Sequence, residues 1–367
     1  MIDTTTNTVV ATVPVGNHPL AVAVTPDGAF AYVANEDDDN VSVIQTATNT
    51  VIATVSVGAS PFAVAITPNG AFAYVANENS ESVSVIATAT NTVTATVHVQ
   101  EAPRGVAITP NGAFAYVANF SEGTVSVINT ATNTVSATIS LVSGLFSVAI
   151  TPNGSFAYVT QNGGSVFVID TATNTLIATI TLPHSALGID ITPNGAFAYV
   201  GSFGQSNLSV INTATNTVST TLSIDGTAGV AVRPDGAFTY VASSSTNTVK
   251  VIDTASNTVT ASIPVGATPF GIAFPTRAPD PIASLIAQIN ALIADGTLTQ
   301  NKGDGLLDKL NQIATKLDAS QAGAACNQLS AFINQVSGFV NSGALSPSEG
   351  QSLIDGANAI RTNLGCQ

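Results

Sequence analysis

The sequence predicts an all-β propeller followed by a small all-α four-helix bundle, and three observations predict it. The eleven letters TPNGAFAYVAN stand at 67–77 and return unchanged at 109–119, with close variants at 25–35, 151–161, 192–202 and 233–243. Apolar residues within each copy alternate with period two, the signature of strands. Beyond residue 281 that period gives way to apolar residues three and four apart, the signature of helices.

The turn glycines set the repeat length. Gly28, Gly70, Gly112, Gly154, Gly195 and Gly236 are spaced 42, 42, 42, 41 and 41 residues apart. A second phrase, TATNT or a near copy, ends at Thr8, Thr50, Thr92, Thr134, Thr175, Thr217 and Thr258. Strand-rich periods of about 40 residues correspond to propeller blades of four strands. In blade two the four strands are PFAVAITP (61–68), AFAYVAN (71–77), SVSVIAT (82–88) and TVTATVHV (92–99), termed A to D.

The turns between them have a mechanism. In TPNG, Pro68 presets φ at the second turn position, Asn69 bonds local backbone readily and Gly70 closes the turn. ATATNT (87–92) serves the C–D turn, again with an asparagine. Strand A is written in small letters, AVAV (21–24), AVAI (63–66) and GVAI (105–108), as crowding about a propeller axis requires. The Phe and Tyr of strand B are expected to fill the wider gaps between blades.

Six complete A–D sets run from 18 to 265. Residues 2–15 add a strand D and 268–274 add a strand A, so a last blade has inner and outer strands but lacks B and C. The reading is a seven-bladed ring with an incomplete closing blade; the alternative is six blades with extra terminal strands.

Composition narrows function. Apolar residues make up 45% of the chain, aromatics 6%, and tryptophan is absent, so the core is built from Ala, Val, Ile and Thr. The formal net charge of −14, with only Arg104, Arg233 and Lys250 as basic residues through 274, argues against nucleic acid, whose phosphates need clustered cations. No apolar run approaches the ~18 residues of a membrane span. The N-terminus MIDTTTNTVV has neither a basic segment nor an apolar one, so no signal peptide is read there. It opens in mid-repeat, as a trimmed form of a longer chain would.

In a propeller the A–B and C–D turns share one face and the D–A and B–C loops the other. Here the first set is monotonous and the second varied, and nearly every residue with chemical character falls in the second. His18, Glu101, Arg104, Phe146, His184 and Asp225 are the candidate binding residues at the channel mouth, with Glu36, Asp37, Asp38, Asp39, Glu78, Glu81, Phe120, Glu122 and Phe203 farther out. Drift of unconstrained loops is the competing explanation. His98 reads as an exposed strand residue. His18 and His184 enter strand A four blades apart, so they face one another across the mouth at a separation too large for one zinc. Glu101 and Arg104 share a loop and are expected to pair as a structural ion pair, with a substrate clamp as the alternative. Glu36, Asp37, Asp38 and Asp39 are a weak calcium candidate, hard oxygens against a merely solvated charge run. No nucleophile elbow, Ser-His-Asp order or phosphate loop is present, and no cofactor is expected.

Residues 1–274 form the propeller, 275–281 (PTRAPDP) a stiff linker, and 282–367 the helical domain. Ile282, Leu285, Ile286, Ile289, Leu292 and Ile293 make the first apolar stripe, with three more near 303–318, 322–341 and 347–364. SPSE (346–349) is a capping box with proline at the first helical position. The domain repeats internally at an offset of 47, matching Gly296 with Gly343, Leu306 with Leu353 and Ile313 with Ile360, which implies two helical hairpins. Cys326 and Cys366 are brought together if helices three and four pack antiparallel; two free buried thiols are the alternative. A disulfide implies an oxidising compartment.

The phrases AYVAN, VSVI, TATNTV and VSVG resemble the YVTN-type propeller repeats of bacterial and archaeal surface proteins, whose usual form is close to YVTN-(x)n-VSVIDTATNTVVATIPVG. That resemblance covers roughly 1–274. LIAQINALIADGTLT, ACNQLSAFINQVSGFVNSGALSPSEGQSLIDGANAI and LGC resemble the FIMAH-type domain at the ends of bacterial secreted proteins, covering about 281–367. Together they imply a secreted or cell-surface, non-catalytic module that recognises an extracellular protein or glycan through its variable face. The alternative they leave is a lactonase- or lyase-like enzyme at the channel mouth, since some related propellers have such activities; nucleic-acid binding, known among similar propellers, is disfavoured by charge.

Overall fold

The computed structural model describes the chain except residues 203–204, 276–280, 319–320, 365 and 367. It divides into two compact units, residues 1–277 and 278–367. Phe203 and most of the linker lie outside the described residues.

Among the described residues, the first unit contains six four-stranded antiparallel sheets, each ordered A-B-C-D. Blade two is Pro61–Ile66, Phe72–Asn77, Ser82–Ala87 and Thr92–His98. The others begin at Pro19, Pro103, Leu145, Ile189 and Thr227. The A–B turn is closed as its residues dictate. Gly70 N–H donates to the Thr67 carbonyl at 2.7 Å with φ of +73°, and Asn69 Oδ1 accepts from Ala71 N–H at 3.0 Å. Thr67 joins the strands it separates, its Oγ1 accepting from Phe72 N–H at 3.0 Å.

The central channel settles how the ring closes. It is lined by seven inner segments, around Leu20, Phe62, Arg104, Phe146, Ile189, Ala228 and Phe270. The third position of strand A is Ala, Gly or Ser because the next blade's backbone presses on it. A Cβ on Gly229 would lie 2.1 Å from the Phe270 carbonyl oxygen, and one on Gly271 would lie 2.6 Å from that of Leu20. Residues 270–272 therefore occupy the seventh inner place. The terminal strands differ from expectation in one detail: Ile2–Asp3 pair with Thr8–Val9, so the chain supplies the end of strand C of blade seven as well as strand D.

Strand B tyrosines lock adjacent blades. Tyr32, Tyr74, Tyr116, Tyr158 and Tyr199 are at most 1% exposed. Each hydroxyl donates to the turn asparagine of the following blade, from Tyr32 to Asn91 Oδ1 at 2.6 Å through Tyr199 to Asn257 Oδ1 at 2.7 Å. Tyr240 completes the series with Asn7 at 2.8 Å, joining blade six to the N-terminal turn. Burial pushes the first five hydroxyls up to a pKa of about 12, so they remain donors. The strand B phenylalanines open the strand beside the turn; Phe30, Phe114, Phe156, Phe197 and Phe238 are half-buried and pack against the clusters between blades as expected, whereas Phe72 is 36% exposed.

The second unit is four helices, α1 (Pro281–Ala294), α2 (Gln300–Asp318), α3 (Ala322–Asn341) and α4 (Pro347–Asn363). Leu285, Ile289, Leu306, Leu310, Ile313, Leu329, Phe332, Val336 and Leu353 form its core at 0% exposure. The expected capping box is present: Ser346 Oγ accepts from Glu349 N–H and Glu349 Oε2 accepts from Ser346 N–H at 2.7 Å. The internal duplication reaches packing detail. A Cβ on Gly303 would strike Ile293, and one on Gly350 would strike Val340, each pair displaced by 47 residues. Glycine lets the second helix of each hairpin close on the end of the first.

Cys326 and Cys366 are bonded, with Cα atoms 5.6 Å apart and a sequence separation of 40. In the chain-entropy model a loop of that length stabilises by roughly 4 kcal/mol. Reduction should therefore lower the calorimetric transition of the helical unit by roughly 15–30 °C and leave that of the propeller in place; Cys326→Ser with Cys366→Ser should reproduce the shift.

Candidate functional site at the channel mouth

The second residue of strand A reads Leu20, Phe62, Arg104, Phe146, Leu187, Ala228 and Phe270 around the ring. Three phenylalanines converge there. Phe62 meets Phe146 edge-to-face at 5.3 Å and Phe270 at 6.3 Å, and Phe146 lies 6.4 Å from Phe270. Edge-on aromatic pairs of this kind are favourable beyond the area they bury. The Arg104 guanidinium carbon stands 3.7 Å from the centroid of Phe120, 5.0 Å from Phe62 and 5.4 Å from Phe146. Its charge is held by Glu78 of the preceding blade's B–C loop, with Nη2 at 2.8 Å and Nε at 3.1 Å from one carboxylate oxygen. The expected Glu101–Arg104 pair is thus corrected. Glu101 remains exposed, because the strand direction at Arg104 aims its side chain inward, where Glu78 reaches it and Glu101 does not. Arg104, Phe62, Phe120, Phe146 and Phe270 are all half-buried, so their faces form the floor of the mouth. They leave a cavity of about 140 Å³, below the ~300 Å³ at which small-molecule pockets begin.

His184 is not at the mouth. It is 4% exposed, with Nδ1 2.8 Å from the Ser185 carbonyl and Nε2 2.8 Å from Ser209 Oγ. The other blades explain this. Asn35, Asn77 and Asn119 end strand B and donate from Nδ2 to Ser42, Ser84 and Ser126 on strand C. In blade five that position is Ser202, too short to reach, and His184 comes in from the D–A loop to bond Ser209, the counterpart of those serines. The histidine fills a structural vacancy, and the expected opposition of His18 and His184 across the mouth is absent.

His18, 58% exposed, stands 2.6 Å from Glu36 and 3.8 Å from Asp37. Those three could offer one metal ligand each, all within 4.8 Å of one another. The four-carboxylate calcium set does not assemble. Asp38 accepts from Asn17 N–H at 2.7 Å and from its side-chain amide at 2.9 Å, and Asp39 accepts from Ser60 N–H at 2.8 Å. Both acids are committed to tying B–C and D–A loops together. Asp225 does the same, accepting from Ser206 Oγ at 2.5 Å. Of the candidates, Arg104 and Phe146 meet in one cluster; His18, Glu101 and Asp225 are exposed loop residues outside it; and His184 belongs to the core.

One titratable residue escaped the reading of the sequence. Strand A carries alanine at its fifth position in Ala23, Ala65, Ala107, Ala149 and Ala231, but blade five has Asp190. Its carboxylate accepts from Val232 N–H at 2.7 Å and Ile191 N–H at 2.8 Å, wedged between the inner strands of blades five and six. Burial raises its pKa to about 6, partly opposed by the two backbone donors. The signal was available as a break in the AVAI pattern.

These features can be set beside known proteins. Residues 2–100 and 52–144 match the family model described as lactonase, 7-bladed beta-propeller, and residues 282–362 match the FIMAH domain model. The chain is a β-propeller followed by a FIMAH domain. Hydrazine synthase of Kuenenia stuttgartiensis is similar in structure, with a TM-score of 0.65, 22% identity, and coverage of 74% of this chain and 94% of that one. At that identity the likeness shows the fold alone. No curated protein matches the sequence. Among the described residues no helix is long and apolar enough to cross a membrane.

Asp190 gives this propeller a testable pH signature. A carboxyl whose folded pKa is raised above its unfolded value binds its proton more tightly when folded, so its contribution declines as pH rises from about 4 to about 6. Asp190→Ala removes that term. The stability of the variant relative to the parent should rise across the same interval by up to about 3 kcal/mol in chemical denaturation, and be flat above pH 7.

Proposed function

We propose that the protein is a secreted or cell-surface binding module that recognises a protein or glycan through the face formed by its D–A and B–C loops. The carrying observation is the cluster of half-buried Phe62, Phe120, Phe146 and Phe270 around the Arg104–Glu78 pair. Rigid aromatics and arginine are the residue types that dominate binding energy at recognition surfaces, because they bury large areas while losing little conformational freedom. Flat aromatic faces also stack on the apolar faces of sugar rings. The small cavity beneath favours recognition by a surface over engulfment in a pocket. The disulfide and the resemblance of the repeats to YVTN-type surface proteins support an extracellular location.

The match to the lactonase model supports a second reading, hydrolysis of a lactone at the same mouth. Its chemistry would fall to the His18, Glu36 and Asp37 group, whose donor types suit a divalent metal acting on a carbonyl oxygen.

Screening the protein against glycan and surface-protein arrays should yield a ligand whose affinity falls at least tenfold on Phe146→Ala or Phe120→Ala, while His18→Ala changes it little. Lactone turnover that requires added divalent metal and disappears with His18→Ala would replace the binding reading with the enzymatic one.

A further inference from the structure

The variable face divides into two sectors of unlike character. The B–C loops of blades one to three and the D–A loop entering blade three carry residues 36–39 (EDDD), Glu81, Glu101 and Glu122 to one side of the channel mouth. The B–C loops of blades four to six, TQNGGS (160–165), GSFGQSN (201–207) and SSSTN (243–247), carry no charged residue.

The acidic crescent is neither neutralised nor loose. Basic residues reach it at two points, and both are matched within the chain: His18 stands 2.6 Å from Glu36, and Arg104 is held by Glu78 at 2.8 Å. Among the described residues, Asp38, Asp39, Glu81, Glu101 and Glu122 have no basic partner. Like charges gathered this way repel one another, and the loops are tied against that repulsion. Besides the bonds of Asp38 and Asp39, Ser80 Oγ accepts from Ala59 N–H at 2.6 Å, and Asn79 Nδ2 donates to Ser60 Oγ at 2.7 Å. Blades one and two hold their acids on matching helical turns, Glu36–Asp38 and Glu78–Ser80, that end in left-handed Asp39 and Glu81. The negative field is thus fixed in place before any partner arrives.

The aromatic floor beside the crescent points independently to the same kind of ligand. It already holds one cation, the Arg104 guanidinium 3.7 Å from the Phe120 centroid, as the negative faces of aromatic rings favour. The mouth cavity of about 140 Å³ is lined by Phe62, Phe146 and Phe270. An apolar cavity of about 150 Å³ accepts a benzene-sized ring. We infer that the partner of this face is a basic protein segment, which lays lysine or arginine side chains along the acidic crescent and seats one aromatic side chain in the mouth. The inference rests on the binding role proposed for the face and narrows its partner to a cationic protein. A neutral glycan would leave the carboxylates uncompensated. An anionic polymer, or a second copy of this chain with its net charge of −14, would be repelled.

The test presents the full chain with peptides of the form XXFXXFXX in which X is lysine, serine or glutamate. The lysine peptide should bind saturably, the serine peptide about tenfold more weakly, and the glutamate peptide not at all. Alanine in place of both peptide phenylalanines should also weaken the lysine peptide about tenfold. Asp37→Asn, Glu81→Gln, Glu101→Gln and Glu122→Gln together leave the loop hydrogen bonds intact and should cost the lysine peptide roughly tenfold in affinity, as should raised salt. Asp27→Asn, Asp170→Asn and Asp253→Asn together remove charge from the opposite face, where other blades carry Asn69, Asn129 and Asn212, and should change nothing. Equal weakening by the two sets of variants would trace the attraction to net charge alone and overturn the inference, as would preference for the serine or glutamate peptide. Binding of a neutral glycan that is lost with Phe146→Ala and indifferent to the acid variants would overturn it too, while leaving the binding role of the face standing. Failure of peptides and glycans alike to bind in a manner sensitive to Phe146→Ala would end both.

Discussion

A single hydrogen bond, from a buried tyrosine hydroxyl to the turn asparagine of the next blade, organises the propeller. A propeller blade is a sheet with two apolar faces, and apolar contact alone fixes neither the rotation nor the height of one blade against the next. The tyrosine–asparagine bond supplies direction. It joins the middle of one blade to the outer turn of its neighbour and ties a side chain to a backbone that only asparagine or glycine adopts readily. Asparagine therefore serves twice in the TATNT phrase, once for the left-handed turn and once as acceptor. This double duty accounts for a phrase that hardly varies over seven copies.

Departures from the repeat are compensated locally. Ser202 replaces the asparagine that elsewhere holds strand B to strand C, and His184 crosses from an adjoining loop to bond the abandoned serine. Asp190 replaces a strand A alanine and is accommodated by two backbone donors. Arg104 replaces an apolar channel residue and is balanced by Glu78 and three aromatic faces. Buried polar groups are costly unless partnered, so each substitution draws in a partner.

The channel mouth owes its character to ring geometry. Inner-strand side chains from several blades converge there, so Phe62, Arg104, Phe146 and Phe270, all at strand A position two, meet across blades. Phe62, Phe146 and Phe270 lie far apart in sequence yet in mutual contact. The helical unit is a separate construction, with its own core, its own duplication and its own disulfide.

The sequence by itself determined the architecture, because local rules repeated at a fixed interval are legible one copy at a time. TPNG, the alternation of strand B, the SPSE cap and the 47-residue offset each act within a few residues or one hairpin. The division of loops into a uniform face and a variable face followed from the same periodicity. Pairings across blades were decided only in three dimensions. Glu78 rather than Glu101 meets Arg104, His184 turns inward to Ser209, and Asp38 and Asp39 cap loops instead of gathering a cation. Each of these depends on side chains whose separation is set by the ring's closure and by which neighbour lacks a hydrogen-bond partner, neither of which is encoded in any single repeat.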